Sequence, residues 1–166
     1  AQTAKNPRRD EVRLREVKTA QYPIAVILSC SDSRVSPELV FDQGIGDLFV
    51  IRVAGNVADD VVIGSMEYAV EHLGVPLVMV LGHENCGAVK AAMSGSETGD
   101  HIESVLRAIT PVVAEAKKSS GDQLDACVRL NVEHVVKQLT DCKPILAKSV
   151  RQSKLTPCNC NIVARA

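Results

Sequence analysis

A chain of 166 residues, 46% of them hydrophobic and with a mean hydropathy of +0.07, can bury enough surface to form one packed domain without disulfide or metal staples. Lys and Arg number 19 against 20 Asp and Glu, for a net charge of −1, and aromatics are only 2% of the chain (Tyr22, Phe41, Phe49, Tyr68, no Trp); this removes both the basic footprint and the stacking surface that a nucleic-acid partner needs. No stretch reaches the ~18 apolar residues of a membrane span, and six Cys are too few for a disulfide scaffold, so the thiols point to metal binding or catalysis in a reducing compartment, the cytoplasm or an organelle interior.

The first residue is Ala, which leaves a processed leader open. Residues 5–20 are charged and helix-prone, with only Val12, Leu14 and Val17 to bury, and predict an arm over residues 1–22 that packs on this subunit or on a partner. Ile24 to Leu28 reads as a short buried strand, and Cys30 sits just past its end. Ser36 and Pro37 open a short helix that Gly44 and Gly46 close off. Leu48 to Val53 is a second buried strand, ending in an Ala54-Gly55-Asn56 turn. Asp59 and Asp60 suit the positive end of a helix running to about Leu73. Leu77 to Leu81 is a third strand, followed directly by Gly82-His83. Helices are then expected over about Gly87–Met93, over Ile102–Lys118 with an interruption at Pro111, over Asp122–Thr140 and around Ile145–Val150, before a last apolar run at Ile162–Ala164. Buried strands alternating with helices predict an α/β fold, a mostly parallel β-sheet core flanked by helices, as a single domain over 1–166. In such sheets the ligand site lies outside the carboxyl ends of the strands.

Two clusters fall at those ends. Cys30-x-Asp32-x-Arg34 follows the first strand and His83-x-x-Cys86 the third, with Gly87 opening the next helix. If the two strands lie close together, two thiolates and an imidazole converge, a donor set that suits Zn2+. Three protein ligands leave a fourth position for water, as in catalytic zinc sites, and His83 and Cys86 are spaced to face one ion from a single helical turn. Two thiolates already cancel the ion's charge, so a coordinating Asp32 would fill and close the site unless Arg34 draws the carboxylate away in a bidentate pair. Asp32 is thus a switch candidate: held by Arg34 it orients a zinc-bound hydroxide, and released it becomes a fourth ligand in a closed state. Thiolate ligands leave less positive charge on zinc than three imidazoles do, so its water should ionise above about pH 7 and activity should rise on the alkaline side.

The paired C-x-D-x-R and H-x-x-C-G motifs, within a stretch from about Pro23 to Ala92, closely resemble those of the β-class carbonic anhydrases. The resemblance implies zinc-dependent interconversion of CO2 and bicarbonate, with Cys30, His83 and Cys86 as ligands and Asp32 and Arg34 as the catalytic dyad. It also implies substrate contacts from Gln21 and the Gly87 backbone N–H, an apolar pocket lined by Phe49, Ala54 and Tyr68 of the neighbouring subunit, and a homodimer or larger even-numbered homo-oligomer. Two departures are visible. Ile27 stands where some family members use a Trp to hold an inhibitory bicarbonate, and the chain stops at Ala166, where members usually continue through another strand and hairpin. The C-terminal strand and hairpin are therefore expected to be cut short.

Three other readings remain open on sequence alone. The same scaffold could hydrolyse CS2 or COS; the cluster could be a non-catalytic zinc-stabilised assembly module; or Cys158 or Cys160 could complete a structural Cys3His site. Cys127 and Cys142 fit small buried hydrophobes, Cys158-x-Cys160 a pair of plain thiols near a frayed end, and His72, His101 and His134 surface positions on helices.

Overall fold

The computed structural model describes residues 8–95, 99–152 and 154–162. Its centre is a four-stranded sheet of order β2-β1-β3-β4, built from β1 (Ala25–Ser29), β2 (Leu48–Arg52), β3 (Leu77–His83) and β4 (Thr156–Ile162). Every pairing is parallel, as expected for short β-branched runs separated by helices. Around it lie α1 (Glu11–Glu16), α2 (Pro37–Val40), α3 (Asp60–His72), α4 (Gly87–Ser94), α5 (Ile102–Ala116), α6 (Gln123–Asp141) and α7 (Ile145–Arg151), with a single 3-10 turn at Ala54–Asn56.

Alternation along β1 divides the core. Val26 and Leu28, with Val78 and Val80 of β3, pack on Val62, Met66 and Ala69 of α3 and on Val132, Val135 and Leu139 of α6. Ala25 and Ile27 join Leu81 in a smaller cluster with Phe41 and Leu48. A third cluster is helical: Val89 and Ala92 of α4, Leu106, Ile109, Val112, Val113 and Ala116 of α5, and Cys127 and Val128 of α6 surround Cys30 and Cys86. Asp59 caps α3 by accepting from the Val62 N–H at 2.8 Å, and Asp122 caps α6 through the Leu124 and Asp125 N–H groups.

Strand order decides where the chemistry can sit. The chain leaves β1 toward β2 on one side and leaves β3 toward β4 on the other, so the loops after β1 and β3 diverge and open a crevice between them. Ser29 lies beside Leu81, which places Cys30 and His83, one and two residues further on, at the mouth of that crevice.

Four expectations need correction. Pro111 does not interrupt its helix: α5 runs unbroken through it, because the apolar stripe from Leu106 to Ala116 anchors both halves and outweighs the one backbone donor that proline removes. The arm helix is only six residues long, residues 5–7 lie outside the described part, and Val12 and Leu14 do not pack on this subunit, which leaves a partner as the surface for them. Arginines hold the arm instead. Arg9 donates to the Glu38 and Gln43 carbonyls, and Arg13 donates to the Ile45 carbonyl at 2.8 Å and to the buried Asp47 carboxylate at 3.0 Å. Cys158 and Cys160 lie not at a frayed end but in β4, beside Met79 and Leu81. The last apolar run is the end of this strand, at Ile162, with 163–164 outside the described residues.

Asp47 collects Arg8, Arg13 and the Gly44 N–H, so its loss takes from the partly buried Arg13 guanidinium its buried carboxylate and leaves it only Glu16 and the Ile45 carbonyl. Asp47→Ala is expected to lower stability by about 1–3 kcal/mol and to open the arm to proteases; a variant with wild-type melting and digestion would show that these ion pairs are idle.

Candidate metal centre

Cys30 leaves the end of β1 buried, and Cys86 is buried at the N-cap of α4. Their sulfurs stand 4.0 Å apart; two thiolates bound at 2.3 Å to one tetrahedral ion would lie about 3.8 Å apart. His83, the last residue of β3, completes the group, and its ligand atom and the two sulfurs all lie within 4.8 Å of one another. Among the described residues this is the one such cluster of three His, Cys, Asp or Glu side chains. The expected single helical turn is not what joins His83 to Cys86. They are linked by a tight turn in which Asn85 takes φ of 54°, a left-handed conformation that Asn tolerates, and α4 begins only at Gly87.

The histidine is prepared for a ligand. Its Nδ1 is 2.9 Å from the Glu84 carbonyl oxygen; a carbonyl only accepts, so Nδ1 carries the hydrogen and, in the neutral ring, Nε2 keeps its lone pair. That Nε2 is buried and has no partner among the described groups. An orphaned imidazole nitrogen facing two buried sulfurs fits a soft divalent cation, and zinc satisfies the donor set.

The thiols are poised by one another. Hydrogen bonding with Cys86 pushes Cys30 well below the ordinary thiol range, helped by His83 and by the Gly55 N–H, while the same contact and burial push Cys86 up. The Cys30 thiolate in turn raises the affinity of His83 for a proton. Metal binding must therefore displace protons from this group, so loading strengthens as pH rises.

Asp32 lies beside this group, with Oδ2 3.9 Å from His83 Nε2. It is held in a fork by Arg34, whose Nε donates to Oδ1 at 2.9 Å and whose second nitrogen donates to Oδ2 at 2.8 Å; the Arg34 backbone N–H adds a bond to Oδ1 at 3.0 Å. The Arg34 side chain keeps the Asp32 carboxyl well below the usual carboxylate range. Arg34 also reaches the Asn85 carbonyl at 3.3 Å and so bridges the two loops.

Two contributors escape the sequence motifs. Arg52, at the end of β2, donates to the Cys30 carbonyl at 3.1 Å and to the Asp32 carbonyl at 2.6 Å, so it fixes the backbone that carries both residues. Gly55 donates its N–H to Cys30 Sγ at 3.3 Å. Glycine is required there: φ is +67°, and an added Cβ would lie 2.7 Å from Ile109 Cδ1 and 3.2 Å from the Ala88 Cβ. Gly55→Ala is expected to reduce stability by about 2–4 kcal/mol, from left-handed strain and overpacking together. Unchanged denaturant midpoints would show that the turn relaxes freely. The sequence signal for Gly55 was the turn itself; for Arg52 there was none.

The remaining candidates are more dispersed. Gly87 is exposed at the first position of α4, beside Cys86. Phe49 stacks at a tilt on Tyr68, with centroids 6.4 Å apart, and Tyr68 on His72 at 5.3 Å, along the β2 side of the sheet. Gln21 and Ala54 are exposed, and Tyr68 is 49% exposed. His72 and His101 are exposed and His134 half-buried; Cys127 is buried in α6 and Cys142 half-buried at its end. Cys158 pairs with Met79, four residues before His83 and so about 13 Å down the strand, which removes it as a fourth ligand. Cys160 pairs with Leu81, and its side chain lies outside the described residues.

An all-parallel sheet with two buried cysteines and a histidine at its carboxyl edge defines an α/β domain whose Cys-His-Cys group could hold a metal ion. A family model described as carbonic anhydrase matches residues 25–160. A carbonic anhydrase of Mycolicibacterium smegmatis is 44% identical over 124 residues, covering 72% of this chain and 60% of the relative. Among solved structures, the Coccomyxa β-carbonic anhydrase in complex with acetazolamide superposes with a TM-score of 0.81 at 29% identity, covering 90% of this chain and 72% of that one. The tetrameric β-carbonic anhydrases of Sordaria macrospora share the fold at a TM-score of 0.82 and 24% identity, covering 91% and 81%. The chain belongs to the β-class carbonic anhydrase family. It spans 60% of the length of the Mycolicibacterium relative.

Proposed function

We propose that the protein catalyses the reversible hydration of CO2 to bicarbonate and a proton, with zinc held by Cys30, His83 and Cys86. The observation that carries this reading is the buried convergence of those three donors beside a carboxylate whose two oxygens are both claimed by Arg34. Zinc, when bound, supplies the Lewis acidity that makes water a nucleophile near neutral pH. Asp32, ionised and fixed, would accept a hydrogen bond from the attacking water and orient it toward the carbon of CO2. Arg34, which engages both oxygens of Asp32, would hold it in this role and keep it from ligating the metal. The Gly87 N–H, at the start of a helix, and Gln21 are assigned to substrate oxygen.

We further infer a homo-oligomer. Tyr22, Val61 and Tyr68 are exposed apolar side chains, and Phe49 and Tyr68 lie on the same side of the molecule as β2, an edge strand. A second copy that covers this side would place Phe49, Ala54 and Tyr68 against its neighbour's site and give CO2 an apolar approach.

Stopped-flow CO2 hydration by the zinc-loaded protein tests the reading, with turnover rising above about pH 7. A protein with one zinc per chain and no hydration at any pH would return the domain to a non-catalytic assembly role.

A further inference from the structure

The helical core around Cys30 and Cys86 is mostly apolar, and the buried face of α6 carries one amide. Asn131 of α6 is 1% exposed, and its Nδ2 donates to the Gly55 carbonyl at 2.9 Å across 76 positions of sequence. Its Oδ1 has no partner among the described residues, so the bond to Gly55 is what the buried amide provides there; a leucine of similar size would fill the space without the penalty of burying a polar group. Gly55 is the residue whose N–H donates to Cys30 Sγ at 3.3 Å. It is wedged by Ala88 of α4 and Ile109 of α5, and beside the turn's own bond from the Asn56 N–H to the Val53 carbonyl Asn131 supplies the side-chain tie that sets how this turn presents its N–H to the sulfur.

We propose that Asn131 is a positioning residue for the metal centre: by tying down Gly55 it fixes the N–H···S bond to Cys30 and so sets the place and the donor strength of that sulfur. The inference rests on the reading that Cys30, His83 and Cys86 hold a metal ion. A hydrogen bond to a ligating sulfur draws electron density from it and fixes its orientation, and outer partners of this kind govern metal affinity.

The test compares Asn131→Leu with Val128→Ala, a change on the same helix and in the same cluster that destabilises the core without removing a hydrogen bond. Chelator competition with Zn2+ and absorption spectra with Co2+ are read on both. Asn131→Leu is expected to weaken metal binding about 10–100-fold and to move the sulfur-to-Co2+ charge-transfer band to lower energy, while Val128→Ala leaves both at wild-type values. Equal affinities and equal spectra in the two variants overturn the proposal. Should Asn131→Leu not fold, the wild-type chain loaded with 113Cd decides. The Gly55 amide proton is expected to split by coupling to the metal, and one Asn131 side-chain amide proton to exchange slowly; loss of either result overturns the proposal. A wild-type chain that takes up none of these ions overturns the metal reading and this inference with it, and so separates the two failures.

Discussion

Replacing Cys86 by serine is expected to strip the protein of metal and abolish CO2 hydration. Cys86 and Cys30 face each other across 4.0 Å in a buried site, and on the proposed reading the pair would supply the soft donors that suit zinc. Serine is close in size, so packing in the surrounding cluster of Val89, Ile109 and Cys127 is largely preserved, but its hydroxyl is a poor ligand at neutral pH. Bound zinc should fall from about one per chain to a trace, with a loss of hydration of at least about 10³-fold, while the far-UV spectrum is unchanged. Cys127→Ser is the matched control: that thiol is equally buried, burial pushes its pKa up, and it is not part of the cluster. It should keep its zinc. A Cys86→Ser protein with full metal content and full turnover would remove Cys86 from the centre.

Arg34→Ala should give the opposite dissociation, with metal retained and turnover lost. The guanidinium engages both oxygens of Asp32, and Asp32 Oδ2 is only 3.9 Å from His83 Nε2. Once freed, the carboxylate is within reach of an ion held by His83 and can take the place that water needs. Loss of an oriented hydrogen-bond acceptor alone is worth about 10²–10⁴-fold, and blockage adds to it. A zinc K-edge spectrum of the variant is expected to show a carboxylate oxygen in place of water, and Asp32→Ala in the same background should restore water without restoring the rate. A fully active Arg34→Ala enzyme would contradict the assignment. In the wild type, acid acts on the same pair through stability rather than through the metal. Because Arg34 lowers the folded pKa of Asp32, the pair stabilises the fold above the unfolded carboxylate value of about 4 and loses that contribution as pH falls below it.

Much of the centre was legible because its residues sit where strands end. The runs before Cys30 and His83 are apolar and short, which identifies strands, and parallel strands in an α/β order bring their ends to one edge. What sequence could not supply was contact between distant elements. Asn131 looks like any polar residue of a long amphipathic helix until α6 crosses Gly55, and Arg52 is one more charge after a strand until its guanidinium meets the Cys30 and Asp32 carbonyls. The arm misled in another way. Its hydrophobic residues suggested apolar packing, yet Arg9 and Arg13 dock it on carbonyls and on Asp47, and backbone acceptors leave no trace in residue type. Pro111 misled because local propensity was outweighed by the buried stripe on α5.

The donors of the centre sit at and just beyond the ends of two strands that meet only in the finished sheet, with Cys30 and Cys86 56 positions apart in sequence. Such a centre cannot nucleate folding, since contacts this remote in sequence form late; the ion stabilises only molecules that have already assembled. A slip of one residue between neighbouring strands would carry Cys30 to the wrong side and forfeit the ion. On the proposed metal reading, retention of the ion would therefore double as quality control, marking the correctly assembled chains in any preparation.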